Sequence, residues 1–249
     1  MELVSETVAW LTDPANWSGP AGIPVRLLEH VVLSGASLLI AMAIALPIGL
    51  WTGHTHRGMA FAANLANLGR ALPSLAVIAL VLPIFAAIDP QLGFKVYPAV
   101  FAMVVLAIPP ILVNAQAGIA GVEPDLVEAG RAMGMRGHQL VRRLEIPVGL
   151  PVILGGVRSA AFQVVATLTL AAIFGGPGLG RYLVEGIAQS DYGMLFGGVV
   201  LVASLSLVTE GAFVLLQRVA VSPGLRTPTA GYEKLAPTAN EMMNATSAG

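Results

Sequence analysis

The sequence predicts an all-α membrane protein of about five transmembrane helices, and three observations carry that prediction. Hydrophobic residues make up 56% of the 249 positions and charged residues only 11%, against about 25% charged in soluble domains. So much apolar surface exceeds what one compact soluble core of this length can hide, and the bilayer is the natural solvent. Apolar runs recur at about the 20 residues needed to cross a hydrocarbon core, separated by charged or turn-rich punctuation. Glycine (28) and proline (17) are abundant while aromatics are 6%, which suits helices that approach closely and kink. The formal net charge of −1 gives no electrostatic case for nucleic-acid binding. The lack of cysteine excludes disulfides, thiolate metal sites and a cysteine nucleophile.

In chain order, residues 1–27 form an N-terminal interfacial segment. Glu2, Glu6 and Asp13 stand where a cleavable signal would need a basic start and an unbroken apolar core. A short helix over 3–11 is expected, with Trp10 and Trp17 at headgroup level. A transmembrane domain spans 28–218. Its expected spans lie at 28–51, within 59–87, at 97–120, at 152–174 and at 194–216. Prolines 47, 73, 83, 109 and 110 interrupt three of them and free backbone groups, which favours a central polar pathway. Residues 219–249, rich in Pro, Thr, Asn and Ser, read as a disordered tail.

An odd number of spans puts the two ends on opposite sides. With the N-terminus outside, Arg57, Arg131, Arg136, Arg142, Arg143, Arg158, Arg218, Arg226 and Lys234 fall on the cytoplasmic side, as the positive-inside bias demands. The polar loop 121–150 is then cytoplasmic, and the loop 175–191 lies outside.

That loop carries the strongest local signals. Pro124 at a first helical position, Asp125 in the first turn and Gly134 beyond the end predict a helix of about nine residues. A second helix is expected from about Gly137 to Glu145, with Arg142 and Arg143 in its last turn and Pro147 ending it. Leu126, Val127, Ala129, Ala132 and Met133 offer either a small apolar knob for a partner's groove or a patch packed beneath the membrane domain.

Here the sequence resembles a family. Importer-type permeases of the ATP-binding-cassette class carry E-A-A, three residues, G, nine residues and I-x-L-P before their last two spans. This chain has Glu128-Ala129-Gly130, Gly134 and Leu144-Glu145-Ile146-Pro147 with every spacing kept. Gly130 replaces an alanine at a cost of about 1 kcal/mol in helix propensity, and Leu144 and Ile146 exchange aliphatic types. The resemblance implies a type I importer permease fold in which this loop is a coupling helix seated in a groove on a cytoplasmic ATPase dimer. Glu128, Ala129, Gly130, Gly134, Leu144, Ile146 and Pro147 are then the coupling residues. The chain itself is expected to be non-catalytic and to hold no cofactor: Lys95 and Lys234, its only lysines, lie in no G-x-x-x-x-G-K-[ST] loop. ATP and Mg would be bound by the partner ATPase.

The resemblance is nearest to osmoprotectant permeases for glycine betaine, choline and proline betaine, through Arg70 to Ala76, Pro109 to Asn114, Pro151 to Arg158 and Gly175 to Gly180. It implies a bacterial inner-membrane location, an extracytoplasmic substrate-binding protein, and a second permease copy or paralogue in a bed of membrane lipid. Permeases for methionine or another small solute share the layout. Arg70, Asn114 and Gln163 are the candidate pathway residues, Arg70 being either an intramembrane charge or an interfacial anchor. Ser159, Gln163 and Thr167, four residues apart, form a polar stripe that suits helix-to-helix bonding as well as a pathway. Gly155, Gly156, Ser159 and Ala160 offer a small-residue face for packing. The run Gly176 to Gly180 reads as a hinge at the pore mouth. His54 and His56 are expected to be solvated, and no metal site is expected. An ion-coupled secondary transporter would instead need paired acids inside the spans, and none is seen away from their ends. A membrane assembly protein would use the loop for another partner.

Overall fold

A computed structural model describes residues 2–58, 60, 64, 65, 67, 69, 72–222 and 224. Among these the regular structure is helical throughout, as a bilayer requires of segments that must satisfy their own backbone groups. α1 (Glu2–Thr12) and a 3₁₀ turn (Pro14–Trp17) precede α2 (Ile23–Thr55). Then come α3 (Ser74–Ile88), α4 (Leu92–Lys95) and α5 (Tyr97–Ala120). The polar pair α6 (Pro124–Ala132) and α7 (Gly137–Leu140) leads into α8 (Ile146–Ala171), and α9 (Gly180–Gln189) and α10 (Tyr192–Ala220) complete the bundle.

Among the described residues four segments are long and apolar enough to cross a membrane: Ile23–Thr55, Tyr97–Ala120, Gly137–Phe174 and Tyr192–Ala220. α3 has 15 residues, about 22 Å of helix, and much of the expected second span before it lies outside the described residues. Helix direction supplies the fifth pass. Gly49 meets Leu112 and Ala115, and Gly53 meets Gln116 and Ile119, so α2 and α5 run parallel and the chain must return between them. α3 is the end of that return, antiparallel to α5, with Phe85 against Tyr97 and Phe101. α8 runs back along α5, with Gly149 on Gly118 and Gly156 on Pro110 and Asn114. α10 reverses again, Gln217 reaching Pro151 O and Glu210 reaching Arg158. The bundle thus enters α2 at one end, the mouth end, and leaves α10 at the other, the loop end where α6 and α7 sit.

α5 is central. Ala99, Ala102, Met103, Leu106, Ala107, Ile111 and Leu112 are buried there against Ala41 and Ala45 of α2 and Val157, Ala160, Val164 and Leu168 of α8. The predominance of glycine and alanine lets the backbones approach closely. Gly156 and Ala160 are therefore used within the chain, while Gly155 meets nothing within 4 Å. Large apolar side chains face outward on the peripheral passes, Leu80 at 74%, Leu207 at 72% and Val219 at 85% exposure. That is the surface lipid would cover.

Two expectations change. Pro147 does not end the second loop helix: Gly137–Phe174 is one continuous helical segment, so the span begins at Ile146 rather than at residue 152. A π turn over Val141–Glu145, in which Ile146 N–H reaches back to Val141 O, widens the helix just before the proline. Pro147 then sits in the first turn of α8, where its missing donor is tolerated. Trp10 is also not a headgroup anchor. It is buried at 9% exposure, its indole on Gly197 and edge-on to Tyr182 at 5.0 Å. Glu6 meets Gly193 as Trp10 meets Gly197, so α1 packs along α10. Trp17 is exposed.

Candidate functional site

The loop end is built from α6 outward. Glu123 precedes Pro124 in the first turn, Asp125 follows, and the helix closes in a Schellman arrangement. Gly134, at φ +81, donates to Arg131 O at 2.9 Å, and Met135 donates to Gly130 O at 3.1 Å. The glycine is needed for that left-handed φ. α7 is capped by Arg136 N–H donating to Gln139 Oε1 at 2.8 Å. The two helices pack through Leu140, buried over Gly130: an added Cβ would lie 2.7 Å from Leu140 Cδ2, so that side-chain tip would have to shift. Glu128 and Ala129 are exposed and Arg131 is too. Leu126 is 42% and Met133 74% exposed, and Glu128 and Arg131 form no ion pair among the described residues. The apolar residues thus stand out as a knob rather than packing beneath the bundle. Leu144 and Ile146 are half-buried and Pro147 is exposed.

Glu145, between them, was not expected to matter. It is 4% exposed, and both carboxylate oxygens accept from His54 Nδ1, at 2.9 and 2.8 Å. His54 is therefore not solvated. It closes the last turn of α2 onto the π turn 91 residues away. His56 is exposed, as expected, and no cluster of metal-ligating side chains occurs among the described residues.

Asn114 and Gln163, named from sequence as pathway candidates, meet in one cavity of about 300 Å³ between α5 and α8, lined also by Gly69, Pro109, Pro110 and Ser159. Asn114 Nδ2 donates to Pro110 O at 2.8 Å. The proline pair borders this space, and the missing N–H of each ring leaves a carbonyl one turn back without its usual donor. Thr167 is buried elsewhere. Arg70 lies outside the described residues.

At the mouth end, Gly178 N–H donates to Glu29 Oε2 at 2.9 Å, and Leu179 N–H donates to His30 Nδ1 at 3.2 Å. Because Nδ1 accepts, the ring hydrogen is on Nε2, which donates to Val165 O at 3.1 Å. Glu29 also takes Arg26 Nη1 at 3.0 Å. The glycine turn, with φ +83 at Gly175 and +100 at Gly178, is thereby fastened to α2. A second missed feature is Arg158 of α8 with Glu210 of α10, joined by Nε to Oε2 at 2.9 Å and by a second bond from Nη2 to Oε1. This pair had a legible signal: an acid inside an apolar run is functional by default, and its partner is an opposite charge on another span.

Residues 45–225 match the family model described as binding-protein-dependent transport system inner membrane component. The chain is similar to the carnitine transport permease protein OpuCB of Listeria monocytogenes, 32% identical over 209 residues that cover 84% of this chain and 93% of that protein. The glycine betaine/carnitine/choline transport system permease protein OpuCB of Bacillus subtilis is 30% identical over 198 residues, covering 80% of this chain and 88% of that one. A chain of the MetNI methionine ABC transporter, solved in an inward facing conformation, superposes with a TM-score of 0.70 at 20% identity, covering 85% of this chain and 100% of that chain. That last likeness is one of fold.

Proposed function

The chain belongs to the family of binding-protein-dependent transport system inner membrane components, and from that premise we propose that it is the permease subunit of an ATP-driven importer for a small compatible solute such as glycine betaine, choline or carnitine. Solute passes from an extracytoplasmic binding protein, through the permease by alternating access, under the drive of a separate cytoplasmic ATPase dimer that binds ATP and Mg. The observation that carries the coupling role is the exposed knob of α6, with Glu128, Ala129 and Gly134 in the family's register and Leu126 and Met133 free of the bundle. A rigid, outward apolar knob is what a groove on a partner can seize.

The sidedness follows. Arg131, Arg136, Arg142 and Arg143 gather at the loop end, which the positive-inside bias assigns to the cytoplasm. The N-terminal end of α2 and the Gly175 to Gly180 turn then face outward, toward the binding protein. The cavity holding Asn114 and Gln163 is the inner part of the pathway. Arg158 and Glu210, 39% and 35% exposed on the single chain, favour a second permease subunit against that face, since a charged pair inside a span avoids lipid.

The test is uptake by the permease reconstituted with its ATPase and binding protein. Glycine betaine, choline and carnitine should be taken up at the expense of ATP, and methionine should not. Glu128→Lys and Gly134→Val should each cut uptake about tenfold or more by misplacing the knob while hydrolysis continues. Unchanged uptake in both variants would sink the coupling role, and uptake of methionine alone would sink the substrate.

A further inference from the structure

We propose that α2 carries the motion of the loop to the mouth, and that the His54–Glu145 hydrogen bond is the joint at its loop end; both are positioning residues. This rests on the reading of the loop as the ATPase-coupling element and adds to it a route and a joint. The family's I-x-L-P pattern leaves its second position free. Here that position holds Glu145, an acid buried to 4% exposure. A carboxylate taken that far from water needs a partner, and among the described residues that partner is His54, at 2.8 Å on a different pass. Covalent continuity ties the loop to α5 on one side and to α8 on the other. The joint is what adds α2.

α2 is suited to transmit what it receives. Its last turns are pressed onto α5, where a Cβ on Gly49 or Gly53 would come within 2.8 Å of the Leu112 or Gln116 carbonyl oxygen. From His54 to His30 the helix spans about 36 Å at 1.5 Å per residue. At its far end Glu29 and His30 hold the backbone N–H groups of Gly178 and Leu179. The same helix therefore has a polar clasp at each end, one on the loop and one on the glycine turn of the mouth. The loop side is continuous with the knob: α6 rests on Leu140, α7 passes into the π turn, and the π turn ends on Glu145. A shift of the knob moves α2 through His54, and α2 moves the turn at Gly178.

The experiment uses the complete importer in proteoliposomes, with solute moved per ATP hydrolysed as the first readout. The second is ATP-dependent thiol labelling at Pro177→Cys, read on the permease band, where it is the chain's one thiol because the sequence has no cysteine. His54→Leu and Glu145→Met should each lower the transport ratio about tenfold and abolish the ATP-dependent change in labelling. The double variant should be no worse than either single one, since both break one contact. His54→Asn places an amide N–H where Nδ1 stands and should restore both readouts to within about twofold of the parent. If His54→Leu and Glu145→Met keep the parent's ratio and labelling change, the joint is overturned. It is equally overturned if uptake and hydrolysis fall together only in step with the amount of complex assembled. A parent importer that shows no ATP-coupled uptake would instead refute the functional reading beneath it.

Discussion

Gly130 stands where the family pattern has alanine, and Leu140 lies directly over it. An alanine Cβ would press on Leu140 Cδ2 at 2.7 Å, but that atom is the far end of a flexible side chain. Gly130→Ala is expected to keep full transport, the gain of up to about 1 kcal/mol in helix propensity offsetting the shift of Leu140. Gly130→Val, with no room for its branches, should lose the knob's seat and most uptake, as measured in the reconstituted importer. Tyr182 gives a second test at this scale. Its phenol donates to Ala21 O at 2.6 Å, and burial, moderated by Arg26 and reinforced by Glu185 and Glu29, pushes it up from 10.0 to about 12. The folded state therefore favours the neutral phenol. Its contribution is fully present below pH 10.0 and is lost as pH rises toward about 12. An ultraviolet difference titration of the parent against Tyr182→Phe should show this one tyrosine ionising late; ionisation near 10 would refute the buried hydrogen bond.

Between elements, stability rests on small residues and polar ties. Gly49→Leu or Gly53→Leu would drive side-chain atoms into α5 backbone, and overpacking of this kind costs about 1–3 kcal/mol. A lowered thermal midpoint in detergent, with unchanged helix content by circular dichroism, is the expected result. Arg158 and Glu210 tie α8 to α10 by two hydrogen bonds. Replacing either alone by leucine leaves an unpaired charge within a span and should lower the midpoint by several degrees. The double replacement should recover most of the loss, because it is the orphaned charge that is costly. Equal losses in the single and double variants would mean that the pair does not interact.

For the whole molecule, the parallel course of α2 and α5 demands five passes, although among the described residues four segments meet the length for a span on their own. Single cysteines placed at Gln91 and at Arg136 in this cysteine-free chain should label from opposite faces of the membrane. Labelling from the same face would refute the return through α3. Much of this was legible in the sequence. Apolar runs determined the helices, because a bilayer leaves the backbone no other means of satisfying itself. The proline, acid and glycine around 124–134 determined α6 and its left-handed stop, because those preferences act within one turn of the chain. The resemblance to importer permeases over residues 128–147 gave the expected coupling register, polarity after a double proline brought out Asn114, and a polar stripe on a later span brought out Gln163. What the tertiary structure decided is what depends on partners distant in sequence. The π turn carries the chain through Pro147, Trp10 finds Gly197, and Glu145 closes on His54 across 91 residues. No local preference encodes such a meeting: whether a charged or aromatic side chain is solvated or clasped is settled only when the helices pack.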